Sequence, residues 1–96
     1  MDFQQFLEST NSNTPPKEVA GALLALWWDK KDDWEKAHTT AQEIHNTDGA
    51  WVHAYLHRKE GDDYNAGYWY NRAKKEKGSV SLEEEWEHIV KDLLAR

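Results

Sequence analysis

The segment Gly49–Ala73 constrains the fold of this chain more than any other. It predicts a helix, a tight turn at Gly61 and Asp62, and a second helix. Glycine favours the left-handed end of one helix, and aspartate caps the start of the next. The same segment contains two histidines, an asparagine, an arginine and several large aromatic residues. It therefore predicts a compact helical hairpin that carries a polar and aromatic binding surface.

Caps and apolar periodicity predict helices along the rest of the chain. A short helix is expected within residues 2–7, and longer ones over residues 15–30, 33–46, 49–60, 63–77 and 82–95. The helix at residue 15 is expected because Thr14 offers a capping hydroxyl before Pro15 and Pro16, and proline suits the first turn. No segment alternates polar and apolar residues, so no β-sheet is expected.

The predicted fold is an all-α single domain with two antiparallel hairpins, a short N-terminal helix and a longer C-terminal capping helix. Residues 1–14 form an arm and linker, residues 15–46 the first hairpin, residues 47–78 the second, and residues 79–96 the C-terminal helix. A chain of 96 residues fits one domain with a modest core. Its six tryptophans add large buried area to that core.

Composition narrows the classes of partner. The formal net charge is −6, which is unsuited to neutralising phosphates, so no nucleic-acid partner is expected. There is no cysteine, which excludes disulfides and cysteine-based zinc sites. The N-terminus lacks a basic region followed by an apolar run, and the longest apolar stretch, Val19–Trp28, is too short to span a bilayer. We therefore expect a cytoplasmic protein without a membrane partner.

A weak internal repeat relates the two predicted hairpins. Residues 20–45 overlay on residues 49–74 with a constant offset of 66 − 37 = 29. The matched identities are Ala25 with Ala54, Lys30 with Lys59, Asp33 with Asp62, and Ala37 with Ala66. Small side chains at matched positions allow two helices to approach closely. The overlay thus predicts the same packing within both hairpins.

In these segments the chain resembles tetratricopeptide and Sel1-like repeats. The resemblance covers about half of the chain and lies in residues 33–37 (DWEKA), 61–66 (GDDYNA), 68–70 (YWY) and 72–73 (RA). It implies stacked helical hairpins of the kind that bind proteins. The offset is shorter than the ~34 residues of a tetratricopeptide repeat, and there is no closing proline. Residues 53–62 and 65–73 are also similar to small uncharacterised bacterial proteins, a resemblance that implies no function.

Two histidines stand out in the second hairpin. His53 and His57 are four residues apart, so both rings project from one face of a helix. In the overlay they replace Leu24 and Trp28 of the first hairpin. They could form a polar ligand pocket, do acid-base work or bind a metal. They could also be hydrogen-bonded histidines at the edge of a hairpin, which we favour over metal because catalytic zinc needs three protein ligands.

Two further histidines, His38 and His45, lie on the preceding helix. They could supply additional ligands only if that helix meets the face that carries His53 and His57. Otherwise they are expected to be satisfied histidines at the edge of the core. The spacing Glu85-x-x-His88 occurs in di-iron bundles, but those sites need two such motifs, so we expect no metal or other cofactor here.

The second helix of the hairpin carries a polar and aromatic row at helical spacing. The row consists of Asn65, Tyr68, Trp69 and Arg72. Folding at Gly61 should bring it beside His53 and His57, giving a candidate groove for a carboxylate, a phosphate or a peptide backbone. Ordinary helix packing with exposed polar ends is the competing interpretation.

The expected function is a small helical binding or interaction module whose partner is a protein or a small anion. No phosphate-binding loop, nucleophilic serine motif or carboxylate pair is present, so catalysis has no support beyond the histidines. The alternatives are an enzyme or metal-binding protein that uses His53 and His57, and a homo-oligomer whose apolar faces close on self-association.

Overall fold

Helices account for all the regular secondary structure of the computed structural model, which describes residues 1–96. The six helices are α1 (Phe3–Ser9), α2 (Ala22–Lys30), α3 (Trp34–Gln42), α4 (Thr47–Lys59), α5 (Asp63–Ala73) and α6 (Leu82–Leu94). The predicted all-α class is therefore confirmed. None of the helices has the length and apolar character needed to cross a lipid bilayer.

The helices pair as two hairpins around a central helix. Helices α2 and α3 pack against each other, as do α4 and α5. Helix α4 also contacts α2, α3 and α6, while α1 lies against α6. The largest fully buried side chains come from α1, α2, α4 and α6: Phe6, Leu26, Trp27, Val52, Leu56, Ile89 and Val90. The first and last helices thus close one apolar core against both hairpins.

The turns of the two hairpins have the same construction. Each contains a residue with a left-handed backbone, Asp32 (φ 61°) in the first and Gly61 (φ 86°) in the second. Asp33 and Asp62 follow, and each carboxylate accepts a hydrogen bond from the backbone N–H three residues later. The four alanines matched by the offset are all fully buried: Ala25, Ala37, Ala54 and Ala66. The equivalence of the hairpins therefore extends from sequence to backbone.

The predicted start of the first hairpin was wrong. Helix α2 begins at Ala22 rather than at residue 15. The segment after Pro16 makes a single turn, closed by the N–H of Val19 donating to the Pro16 carbonyl at 3.0 Å. Gly21 then adopts φ 62° and ψ −137°, which a helix cannot contain, and this conformation separates the turn from α2.

Three other helix ends differ from the prediction because of local capping. The side chain of Asn46 accepts a hydrogen bond from the N–H of Gly49, so Asn46 caps α4 instead of ending α3. Gly49 consequently lies inside α4, where a β-carbon would overlap the carbonyl of Ile44. At the other end of the hairpin, Lys74 takes a left-handed conformation (φ 59°) and ends α5 four residues before residue 77.

A buried polar network holds α6 on the second hairpin. Glu85 accepts hydrogen bonds from the Tyr70 hydroxyl (2.6 and 2.8 Å) and from the Arg58 guanidinium (2.7 Å). Burial, followed by the hydrogen bond to Glu85, raises the pKa of Tyr70 above its usual value. The Glu85 carboxylate is therefore occupied by hydrogen bonds within the protein. His88, the other residue of the Glu85-x-x-His88 spacing, is exposed.

Candidate functional site

In the second hairpin the ring of His53 stacks on two neighbouring rings, those of Trp69 and His57. The ring of Trp69 on α5 lies parallel to the imidazole of His53 on α4, with centroids 4.0 Å apart and an interplanar angle of 17°. The rings of His53 and His57 are also stacked, at 4.9 Å and 14°. His53 is only 5% exposed. The folding of α5 onto α4 at Gly61 thus produces the predicted proximity of the histidine pair and Trp69.

Arg72 extends the stack toward the surface. Its guanidinium carbon lies 5.5 Å from the ring centroid of Trp69 and 5.7 Å from that of Tyr68. The phenol oxygen of Tyr68 is 3.4 Å from one guanidinium nitrogen, which is the only hydrogen bond of this side chain. The cation is therefore held by two aromatic faces and keeps most of its hydrogen-bond donors free.

A third histidine joins the pair from the first hairpin. The Nε2 atoms of His38 on α3 and His53 are 2.9 Å apart, a hydrogen bond in which one ring donates and the other accepts. The His38 ring meets those of His53 and His57 edge-on, with centroids 4.7 and 5.5 Å away. Trp34 stacks on its face at 4.6 Å. His38 could join the pair only if α3 contacts the face of α4 that carries His53 and His57. The structure shows this contact for His38.

The remaining contact of His57 is acidic. Its Nδ1 lies 3.1 Å from a carboxylate oxygen of Glu60 and 3.7 Å from one of Asp62. These two carboxylates of the turn between α4 and α5 therefore orient the His57 ring through Nδ1, so that Nε2 does not take part in this contact. Glu60 is three residues beyond His57, a spacing that the sequence analysis did not use.

Burial controls the protonation of the cluster. Removal from water, followed by the neighbouring His38 and His57, lowers the pKa of His53 to about 4. Burial, followed by repulsion from His57, also lowers the pKa of His38. Burial thus favours the neutral form of both rings, and the hydrogen bond between their Nε2 atoms requires at least one of these nitrogens to be unprotonated.

A groove of about 550 Å³ opens beside this cluster, between the end of α3, the start of α4 and the end of α5. Its lining contains two cationic residues, two histidines and no aspartate or glutamate. The lining residues are Ala41, Gln42, Ile44, His45, Asn46, Thr47, Ala50, His53, Trp69, Asn71, Arg72 and Lys74. Its volume is in the range of small-molecule sites.

The predicted site residues divide between this groove and its surroundings. His53, Trp69 and Arg72 line it, as does His45. His57 lies in the histidine cluster, and the 53% exposed Tyr68 supports Arg72 from outside. Asn65 is exposed at the start of α5, where its amide donates to Asp62 at 2.7 Å.

Asn71 and Lys74 are not among the site residues that the sequence predicts. Both line the groove with Arg72 at the end of α5. The sequence predicts Lys74 in the interior of a longer helix. Lys74 reaches the groove because α5 ends early, with Lys74 in a left-handed conformation. The sequence has no glycine at this position, so it does not predict that end.

Comparison with protein-family models, curated proteins and solved structures finds no match to this chain. The similarity to tetratricopeptide and Sel1-like repeats therefore stays a prediction from the sequence.

Proposed function

We propose that this protein is a small binding module whose groove accepts an anionic ligand with an apolar or aromatic part. The observation that carries the proposal is the charge of the lining. The chain has 18 acidic residues against 12 basic ones, yet none of the acidic residues lines the groove. Arg72 and Lys74 thus form a local positive region on an acidic protein, which favours an anion over a cation.

The pairing of the three arginines supports Arg72 as the anchor. Arg58 is bound to Glu85, and Arg96 is bound to Asp48 and Asp92. Arg72 has no carboxylate partner and rests on aromatic rings. A planar guanidinium with free donors can bind a carboxylate or phosphate through two parallel hydrogen bonds.

The rest of the groove suits the other half of such a ligand. Trp69 offers an aromatic surface next to Arg72, and Ala41, Ile44 and Ala50 add apolar lining. Side-chain amides of Gln42 and Asn71 provide further donors and acceptors at the rim. An aromatic carboxylate therefore matches the groove better than a bare inorganic ion, and an acidic side chain of a partner protein could present the same group.

Binding can be tested with benzoate and inorganic phosphate as probes, followed by amide and indole NMR signals of the full chain. We expect benzoate to shift the indole N–H signal of Trp69, and Arg72→Gln to weaken its binding about tenfold or more, since a hydrogen-bonded charge contributes roughly 1.5–3 kcal/mol. Lys17→Gln is the matched control, because Lys17 is an exposed cation outside the groove.

The two variants separate specific binding from general charge effects. Equal weakening by Arg72→Gln and Lys17→Gln would show that benzoate responds only to net charge and would contradict the proposal. Shifts that map to residues outside the groove would do the same. Phosphate binding without benzoate binding would keep the anion site but remove the aromatic half of the proposal.

A further inference from the structure

We propose that His38, His53 and His57 form a binding site for a divalent transition-metal ion of the zinc class. One ring nitrogen from each residue lies within 4.8 Å of the other two. Three histidines are a complete set of protein ligands for a zinc ion that keeps a fourth position open to water. The inference goes beyond the proposed anion groove, because neither His38 nor His57 lines that groove.

The spacing of one pair of nitrogens is close to what a tetrahedral ion requires. Zinc–nitrogen bonds of about 2.0–2.1 Å place neighbouring ligand nitrogens roughly 3.4 Å apart. The observed Nε2 separation of His38 and His53 is 2.9 Å. An ion would replace the single hydrogen bond between these rings, and a small outward rotation of one ring would provide the longer separation.

The residues around the cluster hold two of the ligands in place. Trp34 stacks on His38 at 4.6 Å, and Trp69 stacks on His53 at 4.0 Å. These planar contacts order His38 and His53 before the metal binds, which reduces the entropy lost on binding. His57 is stacked nearly parallel to His53, so its ring would have to rotate for its in-plane nitrogen to point at the same ion.

Glu60 completes the arrangement for the third ligand. A histidine that ligates a metal normally donates its other ring N–H to a carboxylate or carbonyl, which fixes the tautomer and raises the basicity of the ring. The 3.1 Å contact from Nδ1 of His57 to Glu60 is this type of interaction and assigns Nε2 of His57 as the ligand. Glu60 and Asp62 also add negative charge near the ion.

The donor set also selects the class of metal. Each of the three residues offers an imidazole nitrogen. Imidazole ligands suit zinc, copper and nickel rather than magnesium or calcium.

The direct test is calorimetric titration of the metal-free full chain with Zn²⁺ at neutral pH. We expect one ion to bind per chain, and His38→Gln and His57→Gln each to weaken binding at least tenfold. Glu60→Gln should weaken it about 10- to 100-fold, as loss of such a carboxylate typically does. His88→Gln carries the same substitution at an exposed histidine outside the cluster and the groove and should leave binding unchanged.

A measurement on the unmodified chain guards against variants that fail to fold. Zn²⁺ should shift the imidazole nitrogen signals of His38, His53 and His57, while those of His45 and His88 stay in place. Absence of stoichiometric binding would overturn the proposal, as would loss of binding in His88→Gln. Loss in Asp62→Asn with full binding in His38→Gln would assign the ion to His57, Glu60 and Asp62 instead.

Discussion

The two hairpins share a backbone but not a chemistry. In the first turn the N–H of Asp33 donates to the Trp28 carbonyl at 3.0 Å, and in the second the N–H of Asp62 donates to the His57 carbonyl at 2.9 Å. These four residues are related by the same offset of 29. Aspartate caps and buried alanines are therefore sufficient to set the turn and the close approach of the helices, whatever the other side chains are.

The difference between the hairpins lies on the face where they meet. Positions that hold Leu24 and Trp28 in the first hairpin hold His53 and His57 in the second. Trp28 packs edge-on against Trp27 at 5.0 Å, whereas His53 and His57 face His38 of the neighbouring hairpin. The polar cluster arises because α4 contacts both α3 and α5, so its side chains meet partners from two hairpins.

The equivalence of the two hairpins can be tested by replacing a matched buried alanine in each with a larger residue. Ala66→Leu in the second hairpin and Ala37→Leu in the first should each lower the free energy of unfolding by ~1–3 kcal/mol, because both alanines are fully buried. Urea denaturation monitored by far-UV circular dichroism would measure both. A melting temperature unchanged by Ala66→Leu alone would contradict the equivalence.

Acidification should destabilise the protein through His53, which has no titratable counterpart at the matched position of the first hairpin, Leu24. The folded-state pKa of His53, about 4, lies below the unfolded value of 6.5. The unfolded chain therefore takes up a proton first, and stability that is complete above pH 6.5 is lost as the pH falls toward 4. A shift of this size corresponds to about 3 kcal/mol. Roughly 2 kcal/mol of it is lost between pH 7 and pH 4.5, and the remainder is lost at lower pH.

This pH dependence can be measured as the change in free energy of unfolding of the metal-free protein, in the presence of a chelator, between pH 7 and pH 4.5. His53→Leu, which installs the residue found at the matched position 24, should lose much of the dependence. The titratable groups that face His53 are His38 and His57, with Glu60 behind the latter. An equally steep dependence in the variant would assign the effect to those neighbours.

The smallest expected effect concerns Gly67, which occupies the position matched to His38. A β-carbon there would meet no atom within 4 Å. Gly67→Ala should therefore stabilise the protein by roughly 0.5–1 kcal/mol, because alanine loses less backbone entropy in a helix. Gly61→Ala is the opposing control, since φ 86° makes alanine strained. Destabilisation by Gly67→Ala would contradict this expectation, because it would mean that the added methyl group meets other atoms on that face of α5.

Much of the fold could be predicted from local signals. Asp33, Gly61, Asp62 and Ser81 mark helix ends through contacts within a few residues of themselves, and such contacts can be read from the sequence. The errors are also local in origin: Asn46 caps α4 through a contact three residues along the chain, so α4 begins before Gly49. The early end of α5 at Lys74 depends on a non-glycine residue in a left-handed conformation, for which the sequence gives no preference.

The candidate site shows the same division. Helical spacing placed His53 and His57 on one face, and the turn placed Trp69 and Arg72 beside them, because both relations are local to one hairpin. Asn65 fits the same spacing, yet its amide is satisfied by Asp62 one turn earlier. Spacing alone does not distinguish a residue that lines a groove from one that completes a cap.

The sequence by itself determined the all-α class, the two hairpin turns and the burial of the matched alanines within each hairpin. Only the tertiary structure decided that His38 rather than His45 joins the histidine pair, and that the groove keeps a lining without carboxylates. His45 lies beyond Gln42, the last residue of α3, whereas the contact of His38 with His53 depends on the angle at which α3 packs on α4. Many apolar contacts between distant residues set that angle together, and no single spacing in the chain encodes it.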